Sequence, residues 1–191
     1  MTANGRFREA DMVVVSRHIH IDAPVDRVFA LMANPAARAA LNPFVTPIRV
    51  ETEDNQPLHV GSVCHLRLQT GNRIVDYRTH VREFEPNRCI VSVSDSAVPF
   101  EIRLETRPEG NGARLTQTES FEPSDEMLSE LAEGETERWL VRVLVPLMAF
   151  IDTDYALRVR RRQEELLEQR LAANLERWLE AIRAHLEKSK D

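Results

Sequence analysis

With 191 residues, 42% hydrophobic and 29% charged, the chain is long and apolar enough for one domain that buries roughly 70% of its unfolded surface. Its formal charge of −6 argues against a nucleic-acid partner, since phosphate binding needs a basic face. The opening MTANGRFREAD has no apolar signal-peptide core, and no stretch reaches the roughly 18 apolar residues of a spanning helix. The expectation is a cytoplasmic protein without stable membrane insertion.

The segment MVVVSRHIHI reads as a first strand, stopped by Asp22-Ala23-Pro24. Proline suits the first turn of a helix and Asp26 its positive end, and Val28, Phe29 and Met32 supply a buried stripe. Asn34-Pro35 ends this helix, and a second short helical turn through Ala36 to Ala40 closes at Asn42-Pro43. Six strands follow at about 45–53, 62–70, 73–84, 88–95, 98–107 and 112–122, punctuated by Gly71-Asn72, Pro86-Asn87 and Gly110-Asn111-Gly112. The spacing is that of an antiparallel meander.

Hairpin geometry sorts the side chains by face. A two-residue turn at Gly71-Asn72 sets Cys64, Leu66 and Leu68 opposite Thr79, Tyr77 and Val75, and leaves His65, Arg67, Asp76 and Arg78 on the other side. Around Gly110-Asn111, Phe100, Ile102, Leu104 and Thr106 oppose Phe121, Glu119, Gln117 and Leu115. The inner face therefore carries two polar exceptions, Gln117 and Glu119. A turn at Pro86-Asn87 places Val81 near Ser92 and Thr79 near Ser94, with Val91 and Val93 facing outward.

From about Glu137 the pattern is helical, with Pro146 interrupting an apolar run from Trp139 to Ile151. That run is read as cavity lid or core, with a homodimer contact or a membrane-touching surface as the alternatives. Leu167, Leu171, Leu175, Trp178, Ile182 and Leu186 then form one apolar stripe. A curved sheet needs cover on its inner face, and this last helix is the large apolar element left to provide it. If it closes over the sheet without filling the hollow, a pocket results.

The runs HIHIDAPVDRVFALMANP, LNPFVTPIRV, GSVCHLRL, VREFEPNRCI and GARLTQTESFEP resemble the START-like helix-grip superfamily, SRPBCC, and within it the polyketide cyclase/dehydrase and lipid-transport branch. The resemblance covers about residues 14–123 and, more loosely, the terminal helix. It implies an α+β helix-grip fold, a seven-stranded antiparallel sheet wrapped around a long C-terminal helix, with two short helices after strand 1. It also implies a hydrophobic cavity that holds a lipid, a polyketide or an aromatic molecule, or that works as a cyclase or dehydratase. The expected organisation is a single domain over 1–191, with an atypical helical insert at 124–160.

Glu119 stands out, because a carboxylate on an inner face must be solvated, paired or protonated. The resembling fold pairs the first and last strands, which offers Arg17 as its partner. With Gln117 these two orient a ligand's polar end, while Tyr77 and Thr79, with Ser92 and Ser94, offer hydroxyls, a role shared with ordinary strand packing. Leu66, Leu68, Phe100, Ile102, Leu104, Leu115, Leu147, Phe150 and Ile151 are the expected apolar contacts. Glu119 and Tyr77 are also the candidates for proton transfer if the chain is an enzyme. Cys64 and Cys89 lie in different strands without metal spacing and are expected to be free thiols. The strand histidines fall on the outer, charged face, and no motif calls for a metal, nucleotide or other cofactor. Three readings stand: a binding module for a hydrophobic small molecule, a polyketide cyclase/dehydratase-type enzyme, and an interaction scaffold whose long helix recruits a partner.

Overall fold

The computed structural model describes residues 12–96, 99–121 and 157–188. Strand β1 (Val13–Ile21) leads into helices α1 (Val25–Met32) and α2 (Pro35–Ala40). Then come β2 (Thr46–Thr52), β3 (Val63–Thr70), β4 (Arg73–Glu85), β5 (Cys89–Ser94), β6 (Phe100–Glu109), β7 (Gly112–Phe121) and helix α3 (Leu157–Lys188). The seven strands form one antiparallel sheet in the order β1-β7-β6-β5-β4-β3-β2, so β2 to β7 are a meander and β1 returns to pair with β7. This is the expected helix-grip fold.

Local chemistry explains the two short helices. Pro24 precedes α1, whose Val28, Phe29 and Met32 are buried. The dipeptide Asn34-Pro35 does more than end α1: the Asn34 carboxamide oxygen accepts from the Ala37 amide at 3.0 Å and Pro35 occupies the first turn of α2. Asn42 then turns the chain toward β2, its Oδ1 accepting from the Phe44 amide at 3.0 Å.

The registers are those required by the turns. Cys64, Leu66 and Leu68 pair with Thr79, Tyr77 and Val75, and Phe100, Ile102 and Leu104 pair with Phe121, Glu119 and Gln117. The β4–β5 hairpin reaches its pairing by a different route from the simple two-residue turn. Its loop has one residue more, Asn87 takes φ 62°, and Glu85 pairs with Cys89. A bulge between Val81 and Glu83 absorbs the extra residue, so Val81 still meets Ser92 and Thr79 still meets Ser94. Val91 faces outward as expected, yet it is only 3% exposed. The reason is an ion pair from Arg103 on β6 to Glu83 on β4, Nη1 to Oε2 at 3.2 Å, between the two residues that flank Val91 in the sheet.

Helix α3 packs against β1, burying Leu167, Leu171, Leu175, Leu179, Ile182 and Leu186. Polar ties fix its seat. Arg17 Nε donates to Glu176 at 2.7 Å, the Asp22 amide to Glu187 at 3.0 Å, and Arg27 to the Leu186 carbonyl at 3.2 Å. The expected insert at 124–160 falls outside the described residues except for the first turn of α3. No helix among the described residues is long and apolar enough to cross a membrane.

Two substitutions test this packing. A methyl group on Gly112 would strike the carbonyl of Ile21, so Gly112→Ala is expected to cost about 1–3 kcal/mol in urea unfolding. Ile182→Ala removes a side chain with no exposed surface from the α3 seat and is expected to cost about 2–5 kcal/mol in the same measurement.

Candidate functional site

A cavity of about 90 Å³ lies between β3, β4, β5 and β6 of the sheet, helix α2 and one side of α3. Its walls are mainly apolar: Leu58, Leu66 and Leu68, the ring edges of Tyr77 and Phe100, Ile102, Leu171 and Trp178. Tyr77 and Phe100 stand edge to face with centroids 5.7 Å apart. A room of this size is too large to be a packing defect.

The polar part of the wall is small. Arg38 reaches in from α2, Tyr77 from β4 and Glu119 from β7, with Asn42, Thr79 and Ser92 adding uncharged groups. Glu119 accepts from the Gln117 carboxamide at 2.7 Å. Burial pushes its carboxyl above the usual range, and the bond from Gln117 and the charge of Arg38 pull it back. Burial also pushes the Tyr77 phenol well up, keeping it protonated. For Arg38 burial works in the other direction and lowers the guanidinium, opposed by Cys64, Tyr77 and Glu119. A guanidinium remains charged through any physiological range.

Seven of the expected ligand contacts line the cavity: Leu66, Leu68, Tyr77, Thr79, Phe100, Ile102 and Glu119. Leu104 and Leu115 are instead solid core, at 2% and 0% exposure. Gln117 is fully buried and acts on the cavity through Glu119, and its Oε1 has no partner among the described residues. Arg17 corrects the expected pairing. Although it faces α3, its guanidinium is held by Glu176, and the cation that faces Glu119 is Arg38. The cause is the offset of α3 onto β1, which puts a helix carboxylate within reach of Arg17 before Glu119 is. Leu147, Phe150 and Ile151 lie outside the described residues.

Arg38 is thus the functional candidate that sequence pattern alone passed over. Its signal was present, since it is the single charge in the run NPAARAAL. What the sequence does not show is that α2 lies at the cavity mouth, held there by a bond from Trp178 Nε1 to the Arg38 carbonyl at 3.3 Å. Cys64 also lines the cavity, while Cys89 is buried on the opposite face beneath Arg103, so the two free thiols are separated by the sheet. On the outer face His20 meets Asp22 and Glu109 at 3.2 Å each, His65 meets Asp76 at 2.6 Å, and His80 lies 3.9 Å from Asp95. These are exposed or half-exposed pairs of little energetic weight.

The raised Glu119 has a stability consequence. A carboxyl whose folded pKa lies above its unfolded one favours the folded state fully at low pH and loses that contribution as pH rises through the folded value. Glu119→Gln keeps an acceptor for Gln117 and removes the charge. Its stability relative to the parent is therefore expected to increase as pH rises above the ordinary carboxylate range, read from paired thermal melts.

Comparison with known proteins fits this architecture. The family model described as polyketide cyclase/dehydrase and lipid transport matches residues 12–148. No curated protein matches the chain by sequence. Among solved structures, a protein of unknown function from Staphylococcus aureus aligns with TM-score 0.66 at 9% identity, covering 95% of this chain and 97% of its own. The Zhui aromatase/cyclase from Streptomyces sp. R1128 aligns with TM-score 0.60 at 17% identity, over 93% of this chain and 94% of that one. The di-domain ARO/CYC StfQ of the steffimycin biosynthetic pathway aligns with TM-score 0.60 at 15% identity, over 93% of this chain and 51% of that one. At these identities the structures attest the fold alone, whereas the family model spans most of the sequence: the chain belongs to the polyketide cyclase/dehydrase and lipid transport family.

Proposed function

We propose that this protein binds a hydrophobic or amphipathic small molecule, such as a lipid, a polyketide or an aromatic compound, between the sheet and helices α2 and α3. The observation that carries this reading is the cavity, with its apolar walls and its few polar groups gathered from α2, β4, β5 and β7 and the loop after α2. Apolar burial at about 25 cal/mol per Å² supplies the affinity, and Arg38, Tyr77 and Glu119 set the orientation. The family membership supports the same reading. So does the open room beside the packed core, where a pure interaction scaffold would be expected to be filled. One domain over 1–191, acting in the cytoplasm, completes the proposal; the free state of both cysteines supports that compartment.

A second reading, a cyclase or dehydratase, is favoured by one specific arrangement. Glu119 and Tyr77 share the cavity wall with a cation, and the raised carboxyl of Glu119 suits it to deliver a proton to a departing hydroxyl. Arg38 would then steady the negative charge that develops on a neighbouring oxygen. Loss of turnover on a reactive poly-β-keto substrate in both Glu119→Gln and Tyr77→Phe, with ligand binding retained, is the result expected of an enzyme.

The binding reading is tested by native mass spectrometry of the purified protein and by thermal shift against lipids, aromatics and polyketides. A retained mass or a rise of several degrees is expected. No retained mass and no shift across the panel overturns it. Narrowing the room with Thr79→Leu and Ser92→Leu, both on the cavity wall, is expected to weaken binding at least about tenfold while the unliganded protein keeps its melting temperature within a few degrees.

A further inference from the structure

The polar groups of the cavity are unequal in kind. Arg38 brings five N–H donors, yet the one side-chain bond it makes among the described residues is a long one, Nη1 to the Met32 carbonyl at 3.5 Å. No carboxylate among the described residues stands at ion-pair distance from it. Glu119 is occupied by Gln117 instead. A smaller annex of about 40 Å³ shares Asn42, Glu119, Leu171 and Trp178 with the main room. Into its wall comes Asn174, 6% exposed, whose Nδ2 has no partner among the described residues. With the protonated phenol of Tyr77, the cavity offers donors from α2, β4 and α3 against a single carboxylate acceptor. Such a surplus of donors in an apolar room is complementary to an oxyanion.

Charge decides what must accompany that anion. Arg38 and an ionised Glu119 sum to zero, so an incoming carboxylate leaves one net negative charge in a poorly solvated space. Protonation of Glu119 removes it. The groups around Glu119 include its hydrogen-bond donor Gln117, Val15 of β1, Ile102 of β6, Cys64 of β3 and Tyr77 of β4 on the cavity wall, Arg38 of α2, and Asn174 and Trp178 of α3. Among them Arg38, Tyr77 and Cys64 are titratable; burial raises the Cys64 thiol and the Tyr77 phenol, and the guanidinium stays charged, so none changes charge near neutral pH.

We propose that the cavity selects molecules carrying a carboxylate at one end of an apolar body, seated on the Arg38 guanidinium, and that Glu119 takes a proton from solvent as they bind. This rests on the binding reading given above and names the chemistry of its ligand. Isothermal titration of the full chain with 2-naphthoate and octanoate, each against its neutral amide, tests it. Each acid is expected to bind at least about tenfold tighter than its amide. Titrations in buffers of different ionisation enthalpy are expected to reveal uptake of up to one proton, with affinity falling as pH rises above the ordinary carboxylate range. Arg38→Gln is expected to abolish the preference for acid over amide, and Arg38→Lys to restore part of it. Glu119→Gln is expected to remove both the proton uptake and the pH slope.

Acid and amide binding alike overturns the selection, as does Arg38→Gln weakening both equally. Acid preference without proton uptake overturns the role of Glu119. If the acids fail while neutral members of the wider panel bind, the binding reading stands and this inference falls. If nothing in the panel binds, both fall together.

Discussion

The site depends on where α3 sits. Its apolar stripe lies along β1, at one margin of the sheet, and is fixed there by Arg17 with Glu176 and by Asp22 with Glu187. A helix centred on the sheet would press its leucines onto β3 and β4 and leave nothing open. Seated at the margin, it roofs part of the hollow, and α2 closes the other side. Most of the apolar area that stabilises the fold is therefore buried beside the cavity and not within it, which is how a small domain keeps an open room without losing its core.

That room is the place where the sheet departs from its own pattern. Alternation along β7 puts Leu115, Gln117, Glu119 and Phe121 on one face, and every neighbour of Glu119 across the strands is apolar. Gln117 and Arg38 make the position tolerable, one by a hydrogen bond and the other by charge. A carboxyl raised by burial and set on a cavity wall beside a cation is the kind of group found at functional sites, which is why this region and not the ion pairs of the outer face carries the functional reading. The outer pairs are numerous but wet, and they contribute little beyond solubility and the shielding of Val91.

Much of this was legible in the chain. Two-residue turns at Gly71-Asn72 and Gly110-Asn111 fix registers, and register fixes which side chains share a face, so Leu66, Tyr77, Ile102 and Glu119 could be grouped before any coordinates. The β4–β5 pairs also held, although by compensation: a longer loop and a bulge cancel. Docking of one element on another was not legible. Nothing local tells Arg17 that Glu176 lies within reach, or that a six-residue helix of alanines will point its lone arginine into the hollow. Leu104 and Leu115 fell on the correct face but in its filled part, because alternation separates inside from outside and does not separate wall from core.

The bond from the Trp178 indole to the Arg38 carbonyl joins the helix roof to the element that carries the cation. The same indole lines the room, so a molecule entering there changes the polarity around a fluorophore. Of the chain's two tryptophans, this one gives the protein an intrinsic optical signal of occupancy, with no label attached to the site.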